Sequence, residues 1–184
     1  GSVGTSSKTV TNGSTYGTLP TPTRSGYVFQ GWYTAKSGGS KVTSSTKVNS
    51  SSDITLYARW AKNIAGSGIT VSSISAQNYT GSAIKPKPTV KDGSTTLKEG
   101  THYTLSYSNN TNAGTATVKI TGTGSYGGSR SVTFTIKEKL VTYTATTTVN
   151  YRTGPGTSYS IGGTLKSGAS VSVVEGYSKS ANGY

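Results

Sequence analysis

Few side chains in this 184-residue sequence could move a proton or hold a metal: Asp53, Asp92, Glu99, Glu138, Glu175 and the single histidine, His102. A hydrolytic carboxylate pair needs two acids flanking one bond. Asp92 and Glu99 are the nearest to such a pair, but they bracket "GSTTLK" and read as turn and loop residues. His102 has no second histidine for a metal site, and the many serines include no Gly-x-Ser-x-Gly elbow. Cysteine is absent, which excludes thiol nucleophiles, thiolate ligands and disulfides together. "GTGSYGG" (122–128) and "GPGTSYSIGG" (154–163) lack the Lys-Ser/Thr ending and strand-to-helix setting of a phosphate loop, so their glycines read as turn residues. No catalytic residue, metal or cofactor is expected, and the chain reads as a non-enzyme.

Binding chemistry is better supplied. Tyr33 and Tyr57 fall opposite Trp32 and Trp60 in an alternating pattern, which sets them on an outer face where a sugar ring could lie. Tyr159 sits in a loop after a Gly-Pro-Gly turn, and Arg152, beside Tyr151, could meet a carboxylate. These five residues are the candidate ligand contacts. Lys and Arg number 18 against 5 acids, a net charge of +13. The excess is 6 in residues 1–62, 4 in 63–138 and 3 in 139–184. So even a spread, with only four arginines, does not resemble a nucleic-acid stripe; it suits salt-sensitive attraction to anionic polymers.

The elements that must position these residues are strands. Ser and Thr total 30 and 33, with 13 Tyr and 2 Trp, and apolar residues recur with period two. "SDITLYARW" puts Ile54, Leu56, Ala58 and Trp60 on one face. The same alternation runs through Tyr103, Leu105 and Tyr107; Ala116, Val118 and Ile120; Val132, Phe134 and Ile136; and Val171 and Val173. Turn-rich stretches such as "KSGGSK", "KDGS" and "SNNTNAGT" separate them. Only "GTLPTPTRSGY" (17–27) could hold a short helical turn. One core of this composition is too thin for 184 residues, so three modules are expected, 1–62, 63–138 and 139–184, with joints at "AKNIAGSG" (61–68) and "KEKL" (137–140). No 18-residue apolar run is present, so no membrane span is expected.

Each module resembles a family. "TYGTLPTPTRSGYVFQGWYTAKSGGSKV" followed by "TLYARW" (about 1–61) is similar to the Listeria-Bacteroides repeat of bacterial surface proteins, which implies a β-grasp-like fold with a sheet on a short helical segment and a core of Tyr27, Phe29, Trp32 and Trp60. Such repeats start with a strand ahead of "GSVGTSSKTV", so the resemblance implies that this first strand is missing. Residues 64–137, with Tyr-Thr-Gly, Asp-Gly, Gly-x-x-Tyr and a closing Phe-x-Ile, resemble immunoglobulin-like β-sandwich repeats. From about 140, "VNYRTGPGTSYSIGGTLKSGASVSVVEG" and "NGY" resemble the bacterial Src-homology-3-type cell-wall domain, here a partial barrel truncated at its C-terminal end.

The resemblances imply a mainly β, monomeric, non-catalytic segment of a secreted or cell-surface protein of a Gram-positive-type bacterium. Its partners would be peptidoglycan and anionic wall polymers, with no nucleic acid. Two other functions fit the same pattern: the accessory region of a peptidoglycan hydrolase, and an adhesin directed at host glycan or protein.

Overall fold

The computed structural model describes residues 7–154 and 158–174. Every regular element among them is a strand, in keeping with a mainly β chain. In order these are β1 (Tyr27–Tyr33), β2 (Lys41–Val42), β3 (Tyr57–Asn63), β4 (Ile69–Val71), β5 (Gln77–Asn78), β6 (Val90–Asp92), β7 (Thr95–Thr96) and β8 (Tyr103–Ser108). There follow β9 (Gly114–Gly122), β10 (Tyr126–Gly127), β11 (Ser129–Lys137), β12 (Leu140–Thr144), β13 (Val149–Arg152), β14 (Ile161–Leu165) and β15 (Ser170–Val174). The chain forms two compact units. The first comprises Gly1–Ile74, Pro86–Ser108 and Thr117–Thr133; the second comprises Ser75–Lys85, Asn109–Ala116 and Phe134–Tyr184.

The helical turn expected at 17–27 does not form. Pro20 and Pro22 lack the N–H a helix would use, and each pushes the residue before it away from α geometry. The stretch runs open instead, and the Pro20 carbonyl accepts the indole Nε1–H of Trp32 at 2.8 Å. Among the described residues there is no helix for the sheet of the first module to rest on.

In the first unit, β1, β2 and β3 build an antiparallel sheet, and β10 joins it in parallel at the β3 edge to give the order β10-β3-β1-β2. The register between β1 and β3 slips at Gly31, whose φ of +132° is left-handed territory that glycine enters cheaply. The bulge resets the alternation so that Phe29 meets both Trp32 (5.6 Å between ring centroids) and Trp60 (5.4 Å). The expected four-aromatic core needs correction. Tyr27 is 36% exposed, with the Arg24 guanidinium 3.8 Å above its ring, and Phe29, Trp32 and Trp60 are half-buried. The buried centre is Tyr16, Val42 and Val48, against which Trp32 and Leu56 pack. So thin an interior holds one tyrosine and two valines, and the indole of Trp32 overlaps its rim.

A second buried cluster in the same unit joins Ile64, Ile69, Val90, Leu97, Tyr103 and Ile120. It lies under the sheet β4-β6-β7 and the ladder pairing Leu105 with Ile120 and Tyr107 with Val118. The alternation expected there is present: Tyr103 is buried while Thr104 and Ser106 face solvent, and Val118 and Ile120 have no exposed surface. Ile54, placed by alternation on an inward face, is 41% exposed.

Residues 61–68, which read as a joint, are anchored in the fold at two points, while Ala65, Ser67 and Gly68 face solvent. Ala61 and Ile64 are wholly buried. β10 pairs in parallel with β3, Tyr126 beside Lys62 and Gly127 beside Asn63. The Lys62 and Ile64 amides donate to Ser125 O and Gly127 O, each at 2.9 Å. That close approach explains the glycines of "GTGSYGG". A Cβ on Gly122 would come within 2.7 Å of the Gly127 nitrogen, and one on Gly127 within 3.1 Å of the Ala61 Cβ.

In the second unit, β5 pairs in parallel with the end of β11, Gln77 beside Ile136. Asn110 and Ile84 are tied by two hydrogen bonds, 2.7 and 3.0 Å, and Ala116, Phe134 and Ile136 are buried. Two antiparallel ladders follow, β12 with β15 and β13 with β14. Large apolar side chains there face solvent: Leu140 is 62% exposed, Tyr143 58% and Ile161 54%.

Candidate functional site

On the outer face of the first sheet the register places Tyr33 directly across from Tyr57. Arg59, two residues along β3 from Tyr57, shares that face. Its guanidinium stacks on Tyr33, 3.8 Å from the ring centroid, and donates from Nη2 to the Ala35 carbonyl at 3.2 Å. The Arg59 Nε is buried without a partner. Lys36 Nζ stands 5.9 Å over the Tyr57 ring. Lys41, paired with Tyr33 across β2, lies over Gly31, where a Cβ would fall 2.6 Å from the Lys41 Cε. The sequence pattern set Tyr33 and Tyr57 each on an outer face; Lys36 and Lys41 escaped it because they flank a turn with no period. One face of Tyr33 is thus covered by the protein's own guanidinium and closed to a sugar ring.

In the second unit a single hairpin gathers Tyr151, Arg152 and Tyr159. Tyr151 pairs with Gly163, and the register slips between Tyr151 and Arg152. The Tyr151 ring lies across Gly162 and Gly163, and the Tyr159 ring against Gly154, at each of which a Cβ would collide with the ring. Arg152 Nη1 donates to Tyr159 O at 2.7 Å. Tyr151 is 52% and Tyr159 45% exposed. Residues 155–157, Glu175 and 182–184, including the Asn-Gly-Tyr of the sequence reading, lie outside the described residues.

The residues weighed for chemistry are engaged elsewhere. Glu99 pairs with Lys87 at 2.7 Å. His102 Nδ1 accepts the Lys98 amide at 2.9 Å, and its ring meets Tyr126 edge-on at 5.5 Å. Among the described residues no three metal-ligating side chains cluster, and no helix is long and apolar enough to cross a membrane.

Asp92 accepts from Lys62 Nζ and from the Tyr126 hydroxyl, the latter at 3.0 Å. The Lys62 hydrogen bond holds its carboxyl below the usual carboxylate range. Burial raises the phenols of Tyr103 and Tyr126, helped by Glu99 and Asp92 respectively. The signs are opposite. Asp92 stabilises the fold above its unfolded pKa of about 3.9, and that contribution is lost as pH falls through the lower folded value. The tyrosines stabilise it below about pH 10, and theirs is lost as pH rises through their raised folded values. Urea midpoints measured against pH should therefore fall at both ends, and Asp92→Asn should flatten the acid limb and, because Asp92 also helps to raise Tyr126 and Lys62, soften the alkaline limb. Equal acid limbs for the two proteins would refute the assignment.

A family model described as the Listeria-Bacteroides repeat domain matches residues 1–59, as the motifs of that stretch imply. Among curated proteins, the chain is similar to Internalin H of Listeria monocytogenes serovar 1/2a (strain ATCC BAA-679 / EGD-e), with 50% identity over 42 residues. That stretch is 23% of this chain and 8% of Internalin H, so the chain spans a small part of that relative's length. No solved structure matches. A surface-associated bacterial repeat is what these similarities support.

Proposed function

We propose that this chain, which opens with a repeat of the type carried by bacterial surface proteins, is a non-catalytic segment of a secreted or wall-attached protein of a Gram-positive-type bacterium. In this reading residues 1–62 and 63–138 serve as spacer and adhesion modules. Residues 139–184 hold peptidoglycan, and the molecule is monomeric. The reading is carried by the hairpin of Tyr151, Arg152 and Tyr159: two half-exposed phenol rings braced on glycines, with a guanidinium held by the Tyr159 carbonyl. Such a surface can stack on sugar rings and meet a peptide carboxylate with the N–H groups Arg152 has left. Binding by several weak modules on one chain would give long residence at the wall without a tight site. The absence of catalysis in this reading is supported by the engagement of Glu99, Asp92 and His102 in ion pairs and hydrogen bonds.

Sedimentation with purified peptidoglycan tests it. The 184-residue chain should pellet with the walls, and Tyr151→Ala/Tyr159→Ala should pellet several-fold less while keeping the same melting curve. Equal pelleting of the two proteins would overturn the assignment.

A further inference from the structure

We infer that the first repeat carries its own binding surface for a phosphodiester-linked polyanion, formed by Arg59, Lys36 and Lys41 around Tyr33 and Tyr57. The inference rests on the reading of a wall-facing chain but concerns a different surface from the Tyr151 hairpin. Lys41, Tyr33 and Tyr57 stand in one row across three strands, so the ends of the row are about 10 Å apart. Arg59 sits diagonally over Tyr33 and Lys36 over Tyr57. Three positive groups therefore cover one sheet face, and neither ion pair among the described residues involves them. Left uncompensated, they repel one another, and an anion on this face would relieve that repulsion.

This face offers separate point donors in place of a planar fork, and lysine ammoniums bind phosphate in that way. A carboxylate binds arginine best side-on, through Nε and one Nη in a planar fork. Here Nε is buried and Nη2 is committed to Ala35 O, so that fork is closed. What remains is one outer guanidinium edge and two lysine ammoniums arriving from separate directions. Separate point donors suit the tetrahedral oxygens of phosphate. The tyrosines between them offer hydroxyls and ring edges to the uncharged polyol links of such a polymer. Gly31 is part of the device, because a side chain there would displace Lys41.

The test uses the full 184-residue chain and three probes: poly(glycerol phosphate), polygalacturonate of similar charge density, and purified walls before and after chemical removal of their phosphodiester polymers. Lys36→Gln/Lys41→Gln changes two exposed side-chain ends and should leave the melting curve intact. Binding of that variant to poly(glycerol phosphate) should fall roughly 3- to 10-fold at low salt, with a salt dependence shallower by about 1–2 in log–log slope. Arg59→Lys, which keeps the charge but loses the stacked plane, should also bind more weakly. Wild-type affinity in the double variant, or equal affinity for polygalacturonate, overturns the inference. Unchanged binding to stripped walls likewise overturns it while leaving the peptidoglycan reading in place, whereas no binding to walls of either kind sinks that reading instead.

Discussion

Replacing Ile64 by alanine should cost the first unit about 2–5 kcal/mol. Ile64 has no exposed surface and touches a cluster that runs from Ile69 through Val90, Leu97 and Tyr103 to Ile120. Its amide also donates to Gly127 O, so the residue sits where β3 leaves the first repeat and where that repeat takes up β10. The consequence can be followed with two probes. Both tryptophans, Trp32 and Trp60, lie in the repeat, whereas most partners of Ile64 lie beyond residue 68. Tryptophan fluorescence and far-ultraviolet circular dichroism should therefore report the same lowered midpoint, by about 10 °C or more. A tryptophan transition that stays at the wild-type temperature would show that the repeat does not depend on this cluster.

Gly122→Ala should be the second large effect, at about 1–3 kcal/mol. The added methyl meets backbone, not a flexible side-chain end: Gly127 N at 2.7 Å, with Gly127 O and Tyr126 C at 2.9 Å. Relief requires β10 to move away from β9, and β10 cannot move without loosening its pairing with β3. Hydrogen exchange gives the sharpest reading. The amides of Lys62 and Ile64, which donate to Ser125 O and Gly127 O, should lose protection, while Thr104 and Ser106 on β8 keep theirs. Unchanged protection at Lys62 and Ile64 would mean that the two strands do not depend on this close contact.

How much of this was legible in the sequence depends on range. Where alternation is long and local, as in Tyr103–Ser108 and Gly114–Gly122, the faces read correctly, because a strand with one buried side must repeat every two residues. The same alternation set Tyr33 and Tyr57 on an outer face, but their pairing across β1 and β3 depends on register and was not legible from it. Nor was the buried centre of the repeat. Tyr16, Val42 and Val48 stand alone among serines, threonines and lysines, in segments too short to show a period, while the conspicuous rings of Tyr27 and Trp32 drew attention that burial does not repay. Ile64 sits in a glycine- and serine-rich stretch that has the composition of a linker, and only a partner some sixty residues away reveals its role. A parallel pairing of this kind leaves no local mark. The helical turn expected around Pro20 fails for a reason that was visible, since two prolines in three residues remove the donors such a turn would need.

The placement of β10 against β3 has one more consequence. The rim strand of a small sheet is a ready template for a foreign chain, and proteins displayed at high density on a cell exterior are continually offered one. Here β10 pairs with Lys62 and Asn63, the last two residues of the seven-residue β3 flank, and the strand at the opposite rim, β2, is only two residues long. A foreign strand laid along β3 would therefore run into β10 at Lys62 before it could pair over the strand's full length.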